Sequence, residues 1–97
     1  MLITVPSAAT ATLNSLMTEA QRTAAANSII KQDGRYNVRI ANTGANIVYI
    51  EMGAAAATAS GTPIAATSGV LELTTENLSK IQLIAATGDT AVRVLIS

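Results

Sequence analysis

This chain has no cysteine, no histidine, no phenylalanine and no tryptophan. Without cysteine, disulfides and thiolate metal sites are excluded, and the lack suits assembly in a reducing cytoplasm. Without histidine, the commonest general base and metal ligand is missing. With only two Tyr as aromatics, the chain also lacks the side chains that usually bury the most area, about 150–250 Å² each. Charge is sparse and balanced, six Lys plus Arg against six Asp plus Glu. A nucleic-acid binder needs a basic patch for its phosphate contacts, so nucleic acid is not an expected partner. No apolar run approaches the roughly 18 residues of a membrane span, so a membrane is not expected either. Leu2-Ile3-Thr4-Val5 is too short for the apolar region of a secretion signal, and no Lys or Arg precedes it.

What is present is apolar but small. Of the 97 residues, 49% are hydrophobic, and many of these are alanine, which adds little transfer energy. One domain, residues 1–97, is expected, burying about two thirds of its unfolded surface. The usual remedy for a thin core is oligomerisation. Low charge also leaves few groups to keep a free monomer soluble, which fits a protein docked to something.

The six glycines, Gly34, Gly44, Gly53, Gly61, Gly69 and Gly88, sit where turns are needed, and the first five recur every eight to ten residues. Between them lie segments rich in Val, Ile, Leu and Thr. Turn residues at this beat between β-branched runs are the signature of a small antiparallel sandwich or barrel, with glycines supplying positive φ; with the strand alternation below, the expected fold is an all-β antiparallel β-sandwich, jelly-roll-like. Leu2–Val5 reads as a strand closed by Pro6. Residues 9–26 read as one short N-terminal helix, because Leu13, Leu16, Met17 and Ala20 follow helical spacing. Ile29-Ile30 starts a strand before a turn at Gln32-Asp33-Gly34. Tyr36, Val38 and Ile40 alternate with Asn37 and Arg39, as in a strand with one wet face. After a turn at Asn42-Thr43-Gly44-Ala45-Asn46 come a strand over 47–52 and an alanine-rich stretch, 54–60, read as a loop or weak edge. Pro63 cannot donate to a ladder, which places it at an edge or a strand start. A strand over 70–74 follows, then a turn at Glu76-Asn77, and 80–85 with 91–96 read as a final hairpin across Thr87-Gly88-Asp89-Thr90.

The alternation carries a second inference. With Val48, Ile50 and Met52 inward, Ile47, Tyr49 and Glu51 point out. With Ile81 and Leu83 inward, Ile84 points out; with Val92, Val94 and Ile96 inward, Arg93 and Leu95 do. A solvated face should not hold Ile47, Tyr49, Ile84 and Leu95. Either the N-terminal helix covers them, or they form an interface. The patches on free monomers are usually small, which favours the interface, and its expected residues are Ile47, Tyr49, Pro63, Ile84 and Leu95.

No catalytic motif is present. Glu51 and Glu72 are the one pair of acids that could meet across strands for acid–base work, but pairing with Arg39 or Arg93 is the commoner use of such residues. Asp89 reads as bonding its own turn backbone rather than calcium, since no DxDxDG pattern surrounds it. No catalytic residue, metal or cofactor is expected.

The stretch Asn37-Val38-Arg39-Ile40-Ala41-Asn42-Thr43-Gly44, followed by Ile47-Val48-Tyr49-Ile50-Glu51-Met52-Gly53, resembles small virion proteins of tailed bacteriophages. So do Gly61-Thr62-Pro63-Ile64, Leu78-Ser79-Lys80-Ile81-Gln82-Leu83-Ile84-Ala85-Ala86-Thr87-Gly88 and Thr90-Ala91-Val92-Arg93-Val94-Leu95. These are similar to capsid decoration (cement) proteins, Ala/Thr-rich β-sandwiches that bind the outside of the head. One departure is Ile47, where the pattern often carries proline; the N-terminal third has no counterpart. The resemblance implies a virion structural protein made in the host cytoplasm, clamping the major capsid protein or another virion protein, as a homotrimer at a local threefold axis. A head–tail, collar or fibre component is the alternative within that class. A free binding module, for instance for carbohydrate, is an alternative of another class, and only Tyr36 and Tyr49 could offer it an aromatic platform.

Overall fold

In the computed structural model, residues 1–28, 35–53 and 61–96 are described. They hold eight strands: β1 (Leu2–Val5), β2 (Ala11–Thr12), β3 (Tyr36–Asn42), β4 (Val48–Met52), β5 (Thr62–Ile64), β6 (Val70–Thr75), β7 (Ile81–Ala85) and β8 (Thr90–Ile96). Two four-stranded antiparallel sheets result, β1-β8-β3-β6 (sheet A) and β2-β7-β4-β5 (sheet B). First pairs with last, second with seventh, third with sixth and fourth with fifth, as in one long hairpin. Cross-links β3–β8 and β4–β7 then roll that hairpin over on itself. This is the jelly-roll order, and the expected antiparallel sandwich is met.

Strand alternation builds the core. Ile3, Val5, Val38, Ile40, Val92 and Val94 point inward from sheet A, and Val48, Ile50, Ile64, Ile81, Leu83 and Ala85 from sheet B. Each fully buried Val, Leu or Ile contributes roughly 1.5–3 kcal/mol of transfer energy. No aromatic ring is needed between the sheets, and Tyr36 packs half-buried at the rim. Met52, expected inward, is 45% exposed. β5 pairs with β4 only over Val48, Tyr49 and Ile50, so Met52 has no neighbour on that side among the described residues.

The N-terminal third differs from the single helix expected over 9–26. Ala11–Thr12 is strand β2, Leu13–Leu16 is α1, and Glu19–Ser28 is α2. The break has a local cause. Met17 is extended, at φ −79° and ψ 145°, and Thr18 starts a new helix by a reciprocal capping box: its hydroxyl accepts from the Gln21 amide (3.1 Å), and the Gln21 side chain accepts from the Thr18 amide (2.8 Å). Arg22 then donates to the carbonyls of Asn14 and Met17, satisfying the exposed end of α1. Of the expected stripe, Leu13 and Met17 are buried in the core and Ala20 is exposed. The strand start at Ile29-Ile30, the turn at Gln32-Asp33-Gly34 and the stretch 54–60 lie outside the described residues.

The expected hairpin of 80–85 with 91–96 is also corrected. β7 lies in sheet B and β8 in sheet A, so the chain between them crosses from one sheet to the other. A polar, glycine-containing link serves either purpose, and its composition does not say which. Nor do the glycines mainly supply positive φ. Among those described, only Gly53 does, at 77°; Gly69 supplies space, because a Cβ there would overlap the backbone of Ala65.

Antiparallel pairing places four short inter-sheet links, 6–10, 43–47, 65–69 and 86–89, at one end of the sandwich. Hydrogen bonds knit them together. Asp89 Oδ1 accepts from the Ser7 amide (3.1 Å) and hydroxyl (3.4 Å), instead of from its own turn as expected. Asn46 donates to the Gly88 carbonyl (3.2 Å) and accepts from the Thr87 hydroxyl (2.7 Å). The Thr67 amide donates to the Gly44 carbonyl (2.9 Å). Asn42 lies at the centre, 1% exposed. Its Nδ2 donates to the carbonyls of Asn46 (2.8 Å) and Ile64 (3.1 Å), and its Oδ1 accepts from the Gly44 amide (3.0 Å).

Asn42→Ala strands the buried Ile64 carbonyl and the partly buried Asn46 carbonyl and Gly44 amide at once. We expect a loss of about 3 kcal/mol, since each unsatisfied buried group costs roughly 1–3 kcal/mol, and a fall in melting temperature on the order of 15 °C. Thermal denaturation followed by circular dichroism checks this.

Candidate docking face

The outer face of sheet B collects most of the expected interface residues. Tyr49 on β4 lies opposite Pro63 on β5 and opposite Ile84 on β7, so the three form one cross-strand row. Ile47 precedes β4 by one residue, and its carbonyl accepts from the Ala86 amide (2.9 Å). That bond continues the β4–β7 ladder, and two-residue parity puts Ile47 on the same side as Tyr49. The Asn46 bonds to the 86–89 link anchor the backbone beside it. Tyr49 and Ile84 are half-buried, Pro63 is exposed, and Ile47 is 38% exposed. Pro63 sits on the edge strand, as its missing N–H requires.

Leu95 is not part of this row. It points outward from sheet A, on the opposite face of the sandwich, and is 65% exposed. Two further exposed apolar residues of sheet A were not foreseen, Leu2 at 63% and Val70 at 47% exposed, which end the cross-strand row Leu2–Arg93–Ala41–Val70. The signal was the parity of β1 and β6, since Ile3 and Val5 inward forces Leu2 outward, and Leu71 and Leu73 inward forces Val70 outward. A shallow depression of about 590 Å³ on this side is walled by Asn37, Arg39, Glu72, Thr74 and Leu95. α1 sends Leu13 into the core between the sheets, and Met17 at its end follows.

Glu51 and Glu72 do not converge. Glu51 is on sheet B opposite Gln82, and Glu72 is on sheet A opposite Arg39, so the two carboxylates that could have met belong to different sheets. Arg39 Nε lies 3.7 Å from Glu72 Oε1 with both side chains mostly exposed, the cross-strand pairing anticipated for such residues. Glu51 borders the Tyr49 row, and its Oε2 is shielded from solvent without a hydrogen-bond partner among the described residues. The Lys80 ammonium hydrogen-bonds Glu76; with the Glu76 amide and the Lys80 charge, it holds that carboxyl below the usual glutamate range. A lowered folded-state pKa means the pair favours folding above the unfolded value and is lost as pH falls through the folded one. Among the described residues, no three His, Cys, Asp or Glu side chains are grouped to hold a metal, and no helix is long and apolar enough to cross a membrane.

Comparison with known protein families, with curated proteins and with solved structures finds no match. The functional reading therefore rests on the residues and their geometry.

An exposed ion pair is worth little, about 0–1 kcal/mol. Arg39→Ala is expected to shift stability by less than about 1 kcal/mol, with the difference shrinking further in high salt. Urea denaturation at two ionic strengths measures it.

Proposed function

We propose that this chain is a non-catalytic virion structural protein of a tailed bacteriophage, which binds the outside of the capsid and braces neighbouring subunits in the manner of decoration proteins. The observation that carries this reading is the apolar row Pro63–Tyr49–Ile84, with Ile47 beside it, on the outer face of sheet B. A two-layer sandwich is the architecture that the resemblance to decoration proteins implies, and it supplies a stiff support for such a row. The action is adhesive: apolar side chains leave water on docking, and Tyr49 adds a hydroxyl at the rim of the contact. Tyrosine is enriched at interface hot spots because it joins a large apolar face to a polar tip.

Purified protein mixed with capsids lacking it tests the proposal. Tyr49→Ala is expected to weaken capsid binding by on the order of 2 kcal/mol, about thirtyfold, while the variant remains folded. A folded variant with unimpaired binding removes Tyr49 from the interface. Copy number that scales with the number of capsid subunits supports decoration; copy number matching the ring of a neck moves the protein to a collar or head–tail role. Retention on immobilised glycans without capsid binding favours the carbohydrate module instead.

A further inference from the structure

Among the described residues the sandwich has four sheet edges, and three are blunted. β2 is two residues long, β5 is three residues long and contains Pro63, and β1 is four residues long and runs into Pro6. Short strands and proline are the usual devices that keep an edge from pairing with another chain. β6 has neither. It runs for six residues, Val-Leu-Glu-Leu-Thr-Thr, with no proline and no lysine, and no described strand lies beyond it.

Its outward-pointing hydrogen-bonding groups follow from its pairing with β3. The Asn42 amide donates to the Gly69 carbonyl (2.8 Å), in line with the β3–β6 register. Antiparallel ladders alternate, so Leu71, Leu73 and Thr75 bond toward β3. The amides and carbonyls of Val70, Glu72 and Thr74 then point away from the sheet. On the inner side, Leu71 and Leu73 are only half-buried against the core, as expected of a rim that lacks its next strand.

We infer that β6 pairs antiparallel with β6 of a second copy across a twofold axis at Leu73, joining two copies of sheet A into one eight-stranded sheet. The chemistry of the strand favours a copy of itself in this register. A twofold axis perpendicular to the sheet keeps inner and outer faces matched, so apolar meets apolar without any condition for ring closure. Centring the axis on Glu72 would set two carboxylates face to face. Centring it on Leu73 sets Glu72 opposite Thr74, with each carboxylate still beside its own Arg39. It also makes Glu72 and Thr74 a hydrogen-bonded pair, using two of the three outward-pointing amides, and brings the two Leu73 side chains together over the core rim. This contact uses sheet A's edge and leaves the Tyr49 row free, so it is independent of the capsid-binding proposal.

Sedimentation equilibrium of the purified full chain tests the pairing. A monomer–dimer equilibrium is expected, and Thr74→Pro should weaken it at least tenfold, because proline removes an amide that only the second copy uses. Thr4→Pro, which removes an outward amide from the β1 edge, should leave the dimer unchanged. Hydrogen exchange on the unmodified protein gives a second reading that requires no variant to fold: the Glu72 and Thr74 amides should become protected as concentration rises through the dimer range. Leu73→Cys, in a chain otherwise free of cysteine, should form a covalent dimer on oxidation, since directly opposed residues lie within disulfide reach. A monomer at all concentrations, a trimer, a dimer indifferent to Thr74→Pro, or protection of those amides independent of concentration would each overturn the inference.

Discussion

The hydrogen bonds of Asn42 hold the constraint on which the rest of this structure depends. A jelly roll must carry its chain between two sheets repeatedly, and here four of those passages are made at one end by links of four or five residues. Links that short leave backbone groups inside the corner with no water to satisfy them. Asn42, on sheet A, satisfies the carbonyl of Ile64 on sheet B, the carbonyl of Asn46 and the amide of Gly44. No apolar residue could replace it, and a carboxylate would face two carbonyls with the wrong sign. Asp89 with Ser7, and Asn46 with Thr87 and Gly88, extend the same solution to the outer links.

This polar corner explains how a chain without Phe or Trp closes a sandwich. Aliphatic side chains bury less per residue than aromatic rings, so the two sheets gain less from each inward position. Fixed crossovers hold the sheets in register without further contribution from the core, and Leu13, Met17 and Leu78 fill the space that the strands leave. The same corner positions the proposed docking face, because Ile47 follows Asn46 directly and the ladder then runs through Tyr49 to Glu51. A face set by backbone pairing on three strands changes little on binding, which limits the ordering cost of association.

Much of the sandwich was legible in the order of residues. Alternation in 36–40, 48–50, 81–83 and 92–94 predicted which side chains face inward, because strand side chains alternate with a period of two whatever their partner. Pro63 at an edge followed from its missing N–H. Four of the proposed contact residues, Ile47, Tyr49, Pro63 and Ile84, proved to share one face. Others misled for definable reasons. The apolar spacing of Leu13, Leu16, Met17 and Ala20 suggested one helix, although the Thr18–Gln21 capping pair that breaks it was present in the chain. Leu95 has the same outward parity as Tyr49, but parity is defined only within a sheet.

What the sequence determined by itself is therefore local: strand positions, inward and outward faces, turn placement, and the lack of any group able to act as histidine or thiolate. What only the tertiary structure decided is the assignment of strands to sheets. β7 and β8 are neighbours in the chain yet face each other across the core, and Glu51 and Glu72 are divided between the two sheets. Ser7 and Asp89, near opposite ends of the chain, meet in one corner. The physical reason is that periodicity is written by each strand's own backbone, whereas sheet membership depends on pairings between distant segments. A polar link carries no mark of whether it turns back within a sheet or crosses to the other one.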